Sequence, residues 1–181
     1  MRVITGTERG RKLEAPKGLD VRPTSEMTKE AIFSILLNRI EGAVFLDLFS
    51  GTGQMGIEAL SRGAKQAILI DSSKTAIECI KSNIQKTSLF PQCRVALMDS
   101  LSFLKSCRDK IDIAFVDPPY KMGIIDEALP LLSKIMDEQG IILCETDKNE
   151  VLPDEAGEFV KFKEYKYGKT KVTSYCKGDK E

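Results

Sequence analysis

Short apolar stretches typical of buried strands alternate along most of this chain with segments of helical periodicity. The strand-like stretches lie at 43–48, 67–71, 93–98, 111–117 and 140–145. The helical segments between them lie near 54–62, 73–87, 100–107 and 124–136. Strands separated by helices in this way are typical of a parallel sheet covered on both faces. The alternation therefore predicts an α/β fold with one core, which 181 residues are enough to build.

The N-terminal region lies outside this alternation. Apolar residues at 3–4 and the segment 12–15 flank a glycine-containing turn, which predicts a small β-hairpin. A connector containing proline and glycine follows the hairpin. We expect residues 1–23 to form an N-terminal β-hairpin extension and residues 24–181 to form the main domain.

Two further elements flank the alternating series. Thr24 or Ser25 is expected to cap a helix whose apolar residues recur at helical spacing as far as Ile40. Near the C-terminus, 159–167 and 171–177 alternate in polarity on either side of a turn. That pattern predicts a final antiparallel hairpin.

The composition excludes several kinds of chemistry. The chain has no histidine, so it lacks Ser-His and Cys-His nucleophilic catalysis and the commonest metal ligand. Its five cysteines are scattered without a C-x-x-C pair, so we expect neither a disulfide framework nor a metal. No apolar run approaches the roughly 18 residues of a membrane span, and the first residues lack the apolar stretch of a signal peptide. We expect a cytoplasmic protein, with a monomer favoured.

A G-x-G-x-x-G pattern formed by Gly51, Gly53 and Gly56 follows the first strand of the series and opens the next helix. Asp71 ends the second strand, and Ser72 follows it. Glycines in this position allow close approach of a ligand to the backbone, and a distant acid accepts hydrogen bonds from ribose hydroxyls. The pattern favours an adenosine-containing ligand over a plain strand-to-helix turn.

The acids at the strand ends distinguish between a dinucleotide and S-adenosylmethionine. Asp47 places a carboxylate at the tip of the first strand, where it would repel a pyrophosphate but attract an ammonium group. That favours S-adenosylmethionine. Asp99 ends the third strand next to Ser100, where it could accept a hydrogen bond from the adenine amine. Asp99 is equally suited to cap the helix that starts near Ser100.

The tetrapeptide Asp117-Pro118-Pro119-Tyr120 directly follows the apolar run 111–116. Neither proline can donate to a sheet ladder and each has a fixed φ, so the chain must leave the strand in one rigid direction. A carboxylate, a proline carbonyl and an aromatic ring at one strand end suit a planar amine. Asp117, Pro118 and Tyr120 are therefore the candidate catalytic residues, with Asp117 also near the cofactor. The simpler alternative is a proline-terminated loop with a surface aspartate and a packed tyrosine.

Together these residues resemble the class I S-adenosylmethionine-dependent methyltransferases. The residues that match their four motifs are, in order, Asp47 with Gly51 and Gly53, then Asp71, Asp99 and the tetrapeptide 117–120. The resemblance implies a Rossmann-like, mostly parallel seven-stranded sheet with a C-terminal antiparallel hairpin. The fourth motif is found in amino-methyltransferases of nucleic-acid bases and of some glutamines.

More narrowly, nearly the whole chain resembles the small-subunit ribosomal RNA guanine-N2 methyltransferase family (RsmD). The segments that carry this resemblance are 9–13, 22–25, 30–33, 56–64 and 167–168. One departure is Asp71, which stands where a glutamate is expected and reaches one methylene less far. The resemblance implies methyl transfer from S-adenosylmethionine, which leaves as S-adenosylhomocysteine, to the N2 amine of a specific guanine in 16S ribosomal RNA. The implied partner is ribosomal RNA or the assembling small subunit.

The resemblance also implies roles for side chains around the base. Asp117 and the Pro118 carbonyl would accept the amine hydrogens, while Tyr120 would stack on the base. The basic residues assigned to RNA phosphates, together with Tyr120 at the base, are Arg9, Arg11, Lys12 and Arg22. Ordinary solvated charges are the alternative for these four, and the lysines of 161–171 are expected to form a solvated strand face.

Three other functions fit part of the pattern. The tetrapeptide also suits adenine N6 in DNA or RNA, although the chain has no long insertion for DNA target recognition. An NAD-dependent oxidoreductase would explain the glycine loop and Asp71, but it would explain neither Asp47 nor the tetrapeptide. A non-enzymatic RNA-binding module would explain only the excess of basic residues at the two ends, which is 8 Lys and Arg against 5 Asp and Glu in residues 1–40 and 7 against 3 in residues 161–181.

Overall fold

Strands and helices alternate in the structure as the sequence predicts. The computed structural model describes residues 1–16, 25–119 and 123–178. The helices in these ranges are α1 (Glu26–Ile35), α2 (Gln54–Ser61), α3 (Lys74–Gln85), α4 (Ser100–Ser106) and α5 (Ile124–Ile135). The strands are β1 (Val44–Asp47), β2 (Gln66–Asp71), β3 (Cys93–Leu97), β4 (Ile111–Val116), β5 (Met136–Asp147), β6 (Glu155–Ala156), β7 (Phe159–Tyr167) and β8 (Thr170–Lys177).

The described strands form one sheet in the order β3-β2-β1-β4-β5-β8-β7-β6. Strands β1 to β5 pair in parallel, whereas β8 is antiparallel to both β5 and β7. The chain moves outward from β1 to β3 and then returns to β4 on the other side of β1. The carboxyl ends of β1 and β4 therefore flank a topological switch point, where open α/β sheets bind ligands. We call the edge of the sheet that carries these ends the carboxyl edge.

This topology confirms the predicted fold class, with one strand more than expected. The additional strand is β6, whose two residues pair with the first two residues of β7. Two residues are too few to produce an alternating pattern in the sequence.

Helices cover both faces of the sheet. On one face, Phe33 of α1 stacks on Phe45 of β1 with ring centroids 6.2 Å apart. On the other face, Leu46 of β1 belongs to a second buried cluster with Phe103 of α4 and Leu129 of α5. Successive residues of a strand point to opposite faces, so neighbours in β1 enter different cores. Burial on both faces explains why the strands are almost continuously apolar.

The N-terminal hairpin pairs with itself and packs on the domain. Arg2 and Lys12 form an antiparallel bridge, and the Val3 N–H donates to the Arg11 carbonyl at 2.9 Å. Val3 is buried in the same cluster as α1 and α2. The predicted domain boundary at residue 23 falls in the segment 17–24, outside the described residues.

Glu58 fastens this hairpin to α2. Its carboxylate is fully buried and accepts from the backbone N–H groups of Ile4 and Thr5 at 2.8 and 3.0 Å. It also pairs with Arg62 at 2.8 Å and with the buried Lys29 at 3.5 Å. A buried charge is tolerated only when it is paired and hydrogen-bonded. The position of the N-terminal segment is therefore coupled to α2, which begins at the glycine loop.

Two element boundaries differ from the sequence predictions by four residues or more. Ser25 caps α1 by accepting from the Thr28 N–H at 3.0 Å, but the helix ends at Ile35 instead of continuing to Ile40. Ile40 is nevertheless buried, because the turns after α1 keep apolar side chains against the core. Strand β5 begins at Met136, four residues earlier than predicted, because the polar residues 137–139 that follow Met136 interrupt the apolar pattern.

Candidate functional site

The glycine loop joins β1 to α2 at the carboxyl edge. Gly51 and Gly53 have φ angles of +52° and +77°, which residues with a Cβ rarely adopt. A Cβ on Gly56 would lie 2.2 Å from Cδ2 of Leu69, so only glycine lets α2 pack this closely on β2. Gly53 has no side chain to cap α2, and the carboxylate of Asp47 accepts from the Gly56 N–H in the first turn of this helix.

Asp71 fastens the glycine loop to the end of β2. Its two oxygens accept from the N–H groups of Gly51 at 2.9 Å and Ser73 at 2.8 Å. A carboxylate oxygen has two acceptor positions, so each can accept one further hydrogen bond. Asp71 is half-buried and Ser72 is exposed. The structure thus places Asp71 and Ser72 next to the loop, where a ribose diol could reach the carboxylate.

Asp47 is a buried acid at the end of β1, with 1% of its surface exposed. It accepts a backbone hydrogen bond from Gly56, but its Oδ2 has no hydrogen-bond partner among the described residues. Burial, reinforced by the negative charge of Asp71, raises the pKa of Asp47 to about 7. Among the described residues, the Gly56 N–H therefore compensates the charged form of Asp47 only in part, and Oδ2 has neither a donor nor a cation.

Asp117 lies beside a second buried acid that the sequence analysis did not select. Val116 of β4 is level with Cys144 of β5, which puts Asp117 next to Glu145 on the neighbouring strand. Burial, followed by the charges of Glu145 and Asp47, raises the pKa of Asp117 well above its usual value. Three acids thus interact across the ends of three adjacent strands. The sequence feature that could have identified Glu145 is its position within the apolar run of β5, because an acid is rarely buried in such a run without a role.

Asp99 and Ser100 lie at the start of α4. The exposed Asp99 accepts from the Ser102 N–H at 2.9 Å, and this hydrogen bond lowers its pKa. Asp99 therefore caps α4, the alternative that the sequence left open, and its contact with adenine stays a prediction. The Ser100 hydroxyl donates to the Leu48 carbonyl at 2.8 Å and ties α4 to the end of β1.

The tetrapeptide begins where β4 ends. Asp117 is half-buried, Pro118 is buried and Pro119 is exposed. The ladder of β4 stops at Val116, as expected when two prolines follow a strand. Tyr120 lies outside the described residues, so its stacking on a base stays a prediction.

The structure does not bring the N-terminal basic residues to this edge. Arg9, Arg11 and Lys12 line an open groove together with Lys86. Within this groove, the Glu8 carboxylate accepts from the backbone and the hydroxyl of Ser88 at 2.9 and 2.6 Å. Ser88 follows the C-terminal end of α3 and precedes β3, so the groove lies at the opposite, amino edge of the sheet. Arg22, the fourth residue assigned to RNA, lies outside the described residues.

The described residues contain no group of three or more His, Cys, Asp or Glu side chains arranged to hold a metal ion. None of the helices in these ranges is long and apolar enough to cross a membrane. The five cysteines are free thiols. The polar groups gathered at the carboxyl edge are carboxylates, hydroxyls and backbone amides.

Comparison with known proteins assigns the chain to a family. Residues 1–176 match the family described as Conserved hypothetical protein 95. The chain is 36% identical to YlbH of Bacillus subtilis, a candidate rRNA methyltransferase, over 98% of this chain and 99% of that protein. It is 34% identical to ribosomal RNA small subunit methyltransferase D of Haemophilus influenzae, over 84% of this chain and 81% of the relative. The solved structure of yhhF from Escherichia coli superposes with a TM-score of 0.85 at 31% identity, covering 99% of both chains. The chain therefore belongs to the Conserved hypothetical protein 95 family and is related to ribosomal RNA small subunit methyltransferase D.

Proposed function

We propose that this protein transfers a methyl group from S-adenosylmethionine to the exocyclic N2 amine of a guanine in small-subunit ribosomal RNA. The observation that carries the proposal is the position of Asp117 and Pro118 at the end of β4, one strand from the glycine loop and Asp47. Hydrogen-bond acceptors suited to an amine and a glycine loop suited to a nucleoside thus lie at the same edge of the sheet. The family relationship to ribosomal RNA methyltransferases supports RNA as the substrate.

The residues around the glycine loop fit S-adenosylmethionine. The unpartnered Oδ2 of the buried Asp47 would accept from the ammonium of the methionine portion. Asp71 would accept from the ribose hydroxyls, while Ser72, Asp99 and Ser100 would lie near the adenine. A positive charge close to Asp47 and Asp117 would lower the pKa of both acids, which offsets the cost of their burial. The negative charge of a pyrophosphate at this position would raise the pKa of both acids further.

The end of β4 would prepare the amine for attack. The lone pair of a guanine amine is delocalised into the ring, so the protein must localise it on the nitrogen. The Asp117 carboxylate and the Pro118 carbonyl would each accept one amine hydrogen, which favours a pyramidal nitrogen. S-adenosylmethionine supplies the methyl group, and its sulfur keeps the electrons of the broken bond. The methylated nitrogen then loses its proton to Asp117 or to water.

Labelled methyl transfer tests this proposal directly. Small-subunit ribosomal RNA, free or in assembled particles, would be purified from cells that lack the enzyme and incubated with labelled S-adenosylmethionine. We expect label in N2-methylguanosine after digestion to nucleosides. Label in N6-methyladenosine would instead assign adenine as the substrate, and absence of label in both RNA forms would contradict the proposal. An RNA substrate also fits a cytoplasmic location.

Ligand-induced thermal stabilisation separates the proposal from an oxidoreductase. We expect S-adenosylhomocysteine to raise the melting temperature and NAD to leave it unchanged. Stabilisation by NAD alone would refute the assignment of the glycine loop.

The N-terminal groove needs a test of its own, because it lies at the far edge of the sheet. We propose that Arg9 and Arg11 contact phosphates of the RNA away from the modified base. The double charge reversal Arg9→Glu and Arg11→Glu would then weaken RNA binding and reduce its salt dependence. Unchanged kinetics and salt dependence would show that Arg9 and Arg11 do not contact the RNA.

A further inference from the structure

The lysines of the C-terminal hairpin fall into two groups. Lys161 and Lys171 each hold an acid at 2.8 Å and are mostly shielded from solvent. Lys163, Lys166 and Lys169 are exposed, and none of them pairs with an acid among the described residues. The hairpin therefore presents three positive charges that form no ion pair among the described residues.

The tip of this hairpin lies at the carboxyl edge. Strand β7 is antiparallel to β8, which is antiparallel to β5, so β7 runs in the same direction as β4 and ends at the same edge. Tyr167 pairs with Thr170, and Thr170 pairs with Asp147, two residues beyond Glu145. Three strand spacings of about 4.8 Å separate β4 from β7, so the end of β7 lies roughly 14 Å to the side of Asp117. Two residues at a rise of about 3.3 Å each place it about 7 Å farther along the strand direction.

The outer side of β7 is open along most of its length. Among the described residues, only Phe159 and Val160 pair with β6. Tyr165 packs partly against the core, and the Lys163 Nζ lies 5.0 Å from the centroid of its ring. The ring thus positions a cation by a cation–π contact. A ligand approaching this side meets lysines and an unpaired strand edge.

We propose that Lys163, Lys166 and Lys169 form a lysine rim that binds the phosphates of nucleotides next to the modified base. This inference rests on the proposed function, because RNA is the polyanion whose base would reach Asp117. The residues that bind phosphate must lie away from the reacting atoms, because Asp47, Asp117 and Glu145 would repel a phosphate beside them. Lysines about 14 Å from Asp117 can bind the RNA phosphates without bringing them next to these acids.

The test removes the three charges together. A triple Lys163→Ala, Lys166→Ala and Lys169→Ala variant would be compared with wild type for binding of deproteinised small-subunit ribosomal RNA from cells lacking the enzyme. If each lysine neutralises one phosphate of a single strand, the slope of log K against log salt falls by about 2, and affinity at 0.1 M salt falls about 100-fold. We expect a raised KM for RNA, an unchanged kcat at saturating RNA and unchanged thermal stabilisation by S-adenosylhomocysteine.

A matched variant controls for net charge. Lys65, Lys81 and Lys134 are exposed lysines away from the carboxyl edge, and their triple alanine variant loses the same three charges. Equal weakening by the two triple variants, or wild-type affinity and salt slope in the rim variant, would overturn the inference. Because binding is measured apart from turnover, a wild-type protein that binds RNA but transfers no methyl group would contradict the proposed function alone. A wild-type protein that binds neither the deproteinised RNA nor the assembled small-subunit particle would contradict both.

Discussion

Replacement of Asp47 by asparagine should change how the stability of the protein depends on pH. Asparagine keeps the shape of the side chain and an oxygen that can accept from the Gly56 N–H, but it carries no ionisable group. In the wild type, burial raises the pKa of Asp47 from 3.8 to about 7. Between these two values the folded protein binds more protons than the unfolded chain, so its free energy of unfolding falls as the pH rises.

The size of the effect follows from the two pKa values. Each unit of difference corresponds to about 1.4 kcal/mol, so the stability contributed by the proton on Asp47 below pH 3.8 is about 4 kcal/mol and is lost by pH 8. About 2.5 kcal/mol of this loss falls between pH 5 and pH 8. The asparagine variant lacks this contribution, so it should gain about 2.5 kcal/mol relative to wild type across that interval.

Urea denaturation of both proteins at pH 5, 6, 7 and 8 measures this difference. An effect of the substitution on packing is the same at every pH. The change with pH in the difference between the two free energies of unfolding therefore reports the titration of Asp47. Glu41→Gln, at an exposed acid before β1, serves as the control and should show differences within about 0.5 kcal/mol at each pH. Parallel stability curves for wild type and Asp47→Asn would refute the buried titration. Saturating S-adenosylhomocysteine should stabilise the wild type at pH 8 but not the variant, if Asp47 accepts from the ammonium.

Three further substitutions have defined outcomes. Asp117→Ala should lose most methyl transfer but keep the melting-temperature rise with S-adenosylhomocysteine, and full retained turnover would contradict its role at the amine. Glu145→Gln should shift the acid limb of the kcat/KM profile to lower pH, because burial and then the Glu145 charge raise the pKa of Asp117; an unmoved limb would show that Asp117 does not control it. Gly56→Ala should cost about 1–3 kcal/mol in urea denaturation, because the new Cβ would meet Leu69 at 2.2 Å. A neutral result there would mean that Leu69 has room to move.

Local patterns were sufficient to predict most of the elements and part of the site. The alternation of apolar runs and helical segments predicted β1 to β5, and the glycine spacing predicted the turn into α2. The two prolines after Asp117 predicted the end of β4. In each case, the residues that determine the conformation are neighbours in the sequence. The same holds for Asp99, where the helix cap was one of two predicted roles.

The missed features depend on pairings between distant segments. Glu145 approaches Asp117 only because β5 is placed next to β4. The expected solvated lysine face of the C-terminal hairpin divides into paired and exposed lysines because Lys161 reaches Asp154 and Lys171 reaches Glu164 on the facing strand. The groove at Arg9 lies at the amino edge because Glu8 binds Ser88, which is 80 residues away. Periodicity in the sequence carries no information on such contacts.

The distribution of charge explains how a chain of zero net charge could handle both an anionic and a cationic ligand. The acids Asp47, Asp117 and Glu145 are gathered at the ends of adjacent central strands, and burial raises the pKa of the first two. A sulfonium or ammonium bound there would compensate negative charges that are partly or fully shielded from water. The unpaired lysines lie three strand spacings away on β7 and its turn, where solvent screens them from the acids. Added salt should therefore weaken RNA binding far more than S-adenosylhomocysteine binding, and equal salt dependence of the two affinities would contradict this separation.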